Sequence, residues 1–207
     1  MNTPAESENS GTDQQCERPE DLANYFMANR DRLRRMIDLR MDKRLAQRVD
    51  ASDILQEGFV EAQNRFEEYL EDPKLPLFVW LRFLVGQRLL AVNRWHFGRQ
   101  KRDPRKEQAI ERQPAVGSEV IAKEFSAHLT TPSQAVAQEE LANRLKEMLD
   151  EMDDMDREIL TLRHFEELSN NEAAAELGLT KAAASKRYIR ALTKLRAVAQ
   201  VDLEDQI

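Results

Sequence analysis

The sequence predicts an all-α protein: two small helical domains joined by a linker, the C-terminal one a helix-turn-helix. Three observations carry that expectation. Apolar residues recur at helical spacing, β-branched runs are nearly absent, and glycine is scarce, with 6 in 207 residues. The pattern lapses over residues 103–132, where Pro104, Pro114, Gly117 and Pro132 punctuate polar sequence, so two cores are expected rather than one. Finally, Ser169 to Arg196, SNNEAAAELGLTKAAASKRYIRALTKLR, sets a short helix, a glycine turn and a basic second helix end to end.

Residues 1–19, rich in Ser, Glu, Gln and Asn, read as a disordered leader. The first domain is expected over 20–102. Its helical pattern begins near Leu22 and runs through Tyr25, Phe26, Leu33, Met36, Ile37 and Leu39. A second helix starts at Asp50, whose carboxylate can cap it, with Ile54, Leu55, Phe59, Val60, Ala62 and Phe66 as its apolar side. Pro73 and Pro76 end it in a short exposed loop. The third helix, from Leu77, carries Phe78, Trp80, Leu81, Leu84, Val85, Leu89 and Leu90 before turning basic; the apolar neighbours of Trp80 place it in the core.

The second domain is expected over 133–201 as a four-helix unit, followed by a tail, 202–207, and no further domain. Ser133 caps a helix striped by Val136, Leu141, Leu145, Met148, Leu149 and Met152, and Ile159, Leu160 and Leu162 belong to the next. In the helix-turn-helix, Ala174 puts a small side chain where two helices must cross closely, and Gly178 tolerates the positive φ that ends the first. Thr180 can cap the second. Lys181, Lys186, Arg187, Arg190, Lys194 and Arg196 then follow with no acid among them, which suits a DNA groove better than an ordinary solvated helix.

The net charge of −7 is unusual for a DNA binder, because phosphate neutralisation supplies much of the affinity of such proteins. The distribution resolves this. Arg82 to Lys106 is a basic stretch broken only by Asp103, the last helix is another, and Glu139 to Glu158 between them is heavily acidic. Such a chain is expected to bind DNA weakly alone and to need a partner that delivers it. No apolar run reaches the roughly 20 residues of a membrane span, and the N-terminus is polar, so a soluble, cytoplasmic protein is expected. Cys16 is the sole cysteine, and His96, His128 and His164 are far apart, which gives no support to a disulfide or a zinc site. With no glycine-rich phosphate loop and no nucleophile paired with a base, neither an enzyme nor a cofactor is expected.

With both halves in view, the chain resembles a bacterial RNA polymerase sigma factor of the extracytoplasmic-function group, from about residue 20 to residue 200. DASDILQEGFVEAQNRFEEY is similar to the family's acidic DLVQE-type helix, LFVWLRFLVGQRLLAVNRW to its promoter-reading helix, and MDDMDREILTLRHFEELSNNEAAAELGLTKAAASKRYIRALTKLR to its closing domain. The resemblance implies an initiation factor that binds core RNA polymerase, directs it to a promoter and helps melt the DNA. Polymerase docking falls to Asp50, Asp53, Gln56 and Glu57. The downstream promoter element falls to Arg88, Asn93, Arg94, Trp95, His96, Arg99, Lys101 and Arg102, and the loop from Glu71 to Leu75 lies where the family captures a flipped base. The upstream element falls to Lys181, Ala182, Ser185, Lys186, Arg187 and Arg190. The linker, with Asp103 and Glu107, would thread toward the polymerase active-site channel.

Two departures from the family pattern matter. AAAS stands where a branched apolar residue and then a lysine are usual, so target preference does not transfer. Ala51 and Ser52 stand between Asp50 and Asp53 where a carboxylate is usual, which makes Ser52 a candidate phosphorylation site for a Ser/Thr kinase. An anti-sigma factor is the other candidate regulator. Two further classes compete: a stand-alone helix-turn-helix regulator binding DNA as a dimer, and an all-helical adaptor. Neither gives a purpose to a basic, tryptophan-bearing helix placed after an acidic one.

Overall fold

The computed structural model describes residues 18–97, 115–129 and 135–204, and its elements there are all helical. The leader, the Ser133 cap, the last three residues and much of the linker lie outside the described residues. The chain divides into two units, Met1–Ile37 with Asp42–Glu107, and Asp38–Met41 with Gln108–Ile207. No helix of the described residues is long and apolar enough to cross a membrane.

The first unit contains α1 (Pro19–Ala28), α2 (Arg30–Arg40) as far as Ile37, the single turn α3 (Lys43–Ala46), α4 (Ala51–Glu71) and α5 (Leu77–Phe97). Pro19 opens α1, where its missing N–H is no loss. The stretch from Leu22 to Leu39 is two helices, because Asn29 interrupts it. Its side-chain amide donates to the Tyr25 carbonyl at 2.9 Å, a bond that competes with the helical ladder. Asp50 caps α4, accepting from the Ser52 N–H at 2.8 Å.

The core of this unit gathers Leu22, Phe26, Leu33, Ile54, Leu55, Phe66, Phe78 and Leu81, each worth roughly 1.5 to 3 kcal/mol when buried. Helix α5 is buried on all sides over Leu77 to Arg82, so it passes through the core rather than lying on it. Arg82 is fully buried and therefore takes no part in the cationic surface to which its position in the sequence assigns it. Gly58 lets α4 and α5 approach: a Cβ there would lie 2.7 Å from Val85 Cγ2 and 3.2 Å from Val85 Cα. Trp80 is core, stacked on Tyr69 with ring centroids 4.5 Å apart. The Tyr69 hydroxyl in turn donates to the Leu75 carbonyl at 2.9 Å, which ties the loop before α5 to the aromatic stack.

The second unit contains α6 (Ser118–Leu129), α7 (Ala135–Glu151), α8 (Asp154–Leu160), a π turn (Thr161–Phe165), α9 (Asn170–Leu177) and α10 (Lys181–Glu204). Helix α6 corrects the expected linker of residues 103–132. It packs into this unit's core through Ile121, Ala122 and Phe125, together with Leu141, Leu145, Leu149 and Phe165, so the unit holds more than four helices. The Phe125 ring lies 4.5 Å from His164 and 4.7 Å from Phe165. The π turn delivers both partners: the Glu166 N–H donates to the Thr161 carbonyl, five residues back, at 3.0 Å. Glu167, which follows, holds a positive φ of 57°, uncommon for a residue with a side chain.

Candidate nucleic-acid interface

Helices α9 and α10 are joined as their sequence dictates. Ser169 and Glu172 form a reciprocal capping box at the start of α9, the Ser169 N–H donating to Glu172 Oε2 at 2.6 Å and the Glu172 N–H to Ser169 Oγ at 3.2 Å. At its end Gly178 adopts φ 64°, and the Leu179 N–H donates to the Ala174 carbonyl at 2.8 Å, the Schellman closure. Thr180 Oγ1 accepts from the Ala183 N–H at 3.2 Å and caps α10. The Asn170 amide donates to the Lys181 carbonyl at 2.9 Å, which binds the two helix starts together.

Helix α10 then has two faces. Ala184, Ala191 and Leu195 are buried, and Ala184 packs with Ala174 and Ile159. The short side chain at 184 thus lies at a close helix crossing. Lys181, Ala182, Lys186 and Ile189 are exposed and Ser185 half-buried, spaced at 182, 185, 186 and 189 so that they share the opposite face. Ile189, 60% exposed, adds an apolar side chain to this face, which the run of cations around it in the sequence conceals.

Arg187 and Arg190 are placed differently from the other four upstream candidates. Both pair with Asp156 of α8, whose side chain is only 2% exposed. Arg187 Nη1 donates to Asp156 Oδ1 at 2.7 Å, and Arg190 donates through Nε at 2.9 Å and Nη2 at 2.6 Å. Burial pushes the Asp156 carboxyl up, but the two guanidinium groups, Arg190 before Arg187, more than offset it and hold the group below the ordinary carboxylate value. No local spacing in the sequence points to this pairing across more than 30 residues.

The downstream candidates cluster at the C-terminal end of α5. Trp95 is 72% exposed and meets His96 edge-on with ring centroids 4.5 Å apart, so two aromatic faces stand beside the exposed Arg94. Asn93 is half-buried. Arg88 is committed to Glu61 at 2.7 Å, which removes some of its charge from the surface. Arg99, Lys101 and Arg102 lie outside the described residues.

On α4, Asp53, Gln56 and Glu57 are exposed on one face, opposite the buried Ile54, Leu55, Gly58 and Ala62. Val60, expected on the apolar side, is instead 49% exposed one turn beyond Gln56 and Glu57. Asp50, at the head of the strip, is held below the ordinary carboxylate value by the backbone N–H and then the hydroxyl of Ser52. Among the described residues no group of three or more His, Cys, Asp or Glu could hold a metal ion.

Comparison with known proteins bears on both units. Residues 148–197 match the family model described as sigma-70, region 4, a span that runs from the end of α7 through α8 and α9 into α10. The chain is 28% identical over 163 residues to the RNA polymerase sigma factor CnrH of Cupriavidus metallidurans, covering 75% of this chain and 76% of that protein. A solved structure, described as CnrH in complex with the cytosolic domain of CnrY, aligns over 90% of this chain and 92% of that chain with 21% identity and a TM-score of 0.47.

Proposed function

We propose that this chain, a sigma factor of the extracytoplasmic-function group, docks on core RNA polymerase through α4 and directs it to promoters gripped at two places. The open face of α10 reads the upstream element and the end of α5 meets the downstream element where the duplex opens. The observation that carries this is the division of α10: one face of small and apolar residues against the core, the other offering Lys181, Ala182, Ser185 and Lys186 outward. Residues near the start of such a helix reach base edges, and later cations hold phosphates. At α5, Trp95 and His96 offer stacking surfaces to unpaired bases and Arg94 a phosphate contact. On α4, the carboxylates of Asp53 and Glu57 suit an arginine-bearing partner, and Val60 ends the strip with an exposed apolar side chain. The role is recognition, without covalent chemistry.

Reconstitution with core polymerase on a genomic promoter library tests this. The chain is expected to co-purify with core and to yield transcripts from a common promoter sequence, and charge reversal at Asp53 and Glu57 to abolish co-purification. Failure to bind core, with tight promoter binding by the chain alone, would instead make it a stand-alone regulator. Ser52 is the proposed point of kinase control: a phosphate at the second position of α4 is favoured by the helix N-terminus but opposed by Asp50 beside it. Equal polymerase affinity for Ser52→Ala and Ser52→Glu would remove that switch.

A further inference from the structure

Asp156 is a buried carboxylate that its own helix does not need. Helix α8 is already capped by Asp153, which accepts from the N–H groups of Met155 and Asp156. Asp156 spends its oxygens on Arg187 and Arg190, and Asp153 adds a longer contact to Arg187 at 3.3 Å. Asp156 and, at longer range, Asp153 balance the charge of the two arginines, and the Arg190 side chain remains 55% exposed. Both guanidinium groups are thereby fixed in orientation while still open to solvent.

We propose that Asp156 is a positioning residue for promoter recognition: it holds Arg187 and Arg190 so that their outer N–H groups meet the DNA backbone at fixed points, setting how α10 seats in the groove. Phosphate contacts carry no sequence information themselves, but they fix register, and register decides which bases Lys181, Ala182 and Ser185 meet. This rests on the sigma-factor function proposed above.

A positioning role and a merely structural one part company when the carboxylate becomes an amide. Asp156→Asn keeps the shape and both arginines and adds one positive charge to the DNA-facing surface. Non-specific affinity should then hold or rise, since it follows charge, whereas discrimination should fall because the arginines are no longer aimed. If Asp156 only stabilises the fold, both should fall together.

The test uses the full chain with two readouts. Holoenzyme reconstituted with core polymerase selects from a duplex library randomised over the upstream element, and the chain alone is titrated with a fluorescein-labelled duplex of arbitrary sequence across a salt series. Circular dichroism establishes that each variant is folded at the assay temperature. For Asp156→Asn, enrichment of the wild-type upstream motif is expected to fall about tenfold, in line with about 1.4 kcal/mol of lost discrimination, while affinity for the arbitrary duplex is unchanged or higher. Asp156→Glu, which keeps the charge, should recover part of the enrichment. Unchanged enrichment in Asp156→Asn, or equal losses in the two readouts, would overturn the proposal. A wild-type holoenzyme that enriches no upstream motif would overturn the promoter-reading function itself, and this proposal with it.

Discussion

Helices α5 and α10 are similar in length, 21 and 24 residues, and both present cations, yet they are anchored by different physics. Helix α5 is held by burial on all sides over Leu77 to Arg82, and its basic end projects beyond the core. Helix α10 has a narrow seam of Ala184, Ala191 and Leu195 and takes part of its anchoring from a buried carboxylate on α8. The first arrangement depends chiefly on packing, with the Arg88–Glu61 pair as a charged link between α5 and α4. The second depends on charge, so acid should loosen it.

The comparison can be broken from either side, and amide hydrogen exchange of the full chain resolves the two units. The largest effect should come from Phe66→Ala, which empties a fully packed site between α4 and α5 and should cost about 3 to 5 kcal/mol in the first unit at any pH between 4 and 8. Unchanged protection of α4 and α5 would refute the packing account of this unit. Asp156→Asn comes next, at about 1 to 3 kcal/mol in the second unit, because it withdraws the acceptor of two arginines. Here pH has a sign. The folded carboxyl lies below its ordinary value, so its stabilisation is present above about pH 4 and is lost as pH falls through the lowered folded value. Wild type should lose protection in the second unit over that acid range, and the asparagine variant should lose less of it.

Two smaller changes sharpen the contrast. Gly58→Ala gains about 0.5 to 1 kcal/mol of helix propensity but drives a methyl against Val85, an overpacking cost of about 1 to 3 kcal/mol. A net loss of about 1 kcal/mol in urea unfolding is expected, and a gain would show that α4 and α5 can part freely. Glu167→Gly should act the other way. It relieves a left-handed residue after the π turn but also removes the interactions of the Glu167 side chain, so the backbone relief of about 1 kcal/mol is the upper limit of any gain. A lowered melting temperature would mean that the Glu167 side chain does more than tolerate its backbone.

What the sequence disclosed and what it hid follow from range. Asp50, Gly178 and Thr180 act on residues two to four positions away, so caps and the turn could be read directly. Trp80 could be assigned to the core from its neighbours. Helix α6 was hidden because Gly117 and Pro132 bracket it and its apolar set, Ile121, Ala122 and Phe125, is too short to show a period. Val60 and Arg82 exchange their expected environments because α4 buries only one face whereas α5 is enclosed over Leu77 to Arg82. Those outcomes depend on what packs alongside. At the candidate interface, Lys181, Ala182, Ser185 and Lys186 come from the family resemblance, and their exposure on one side of α10 follows from helical geometry. That Arg187 and Arg190 share Asp156 could not be read, since it is a tertiary pairing between helices with no local signature.

The two tryptophans of this chain give it a built-in optical gauge. Trp80 is enclosed by aromatic rings, so its emission should be blue-shifted and shielded from iodide, whereas Trp95 faces water and should emit further to the red and quench readily. Unlabelled protein titrated with a short single strand would then report capture of an unpaired base as loss of the red component alone. Disturbance of the loop that Tyr69 fastens beneath Trp80 would register separately in the blue.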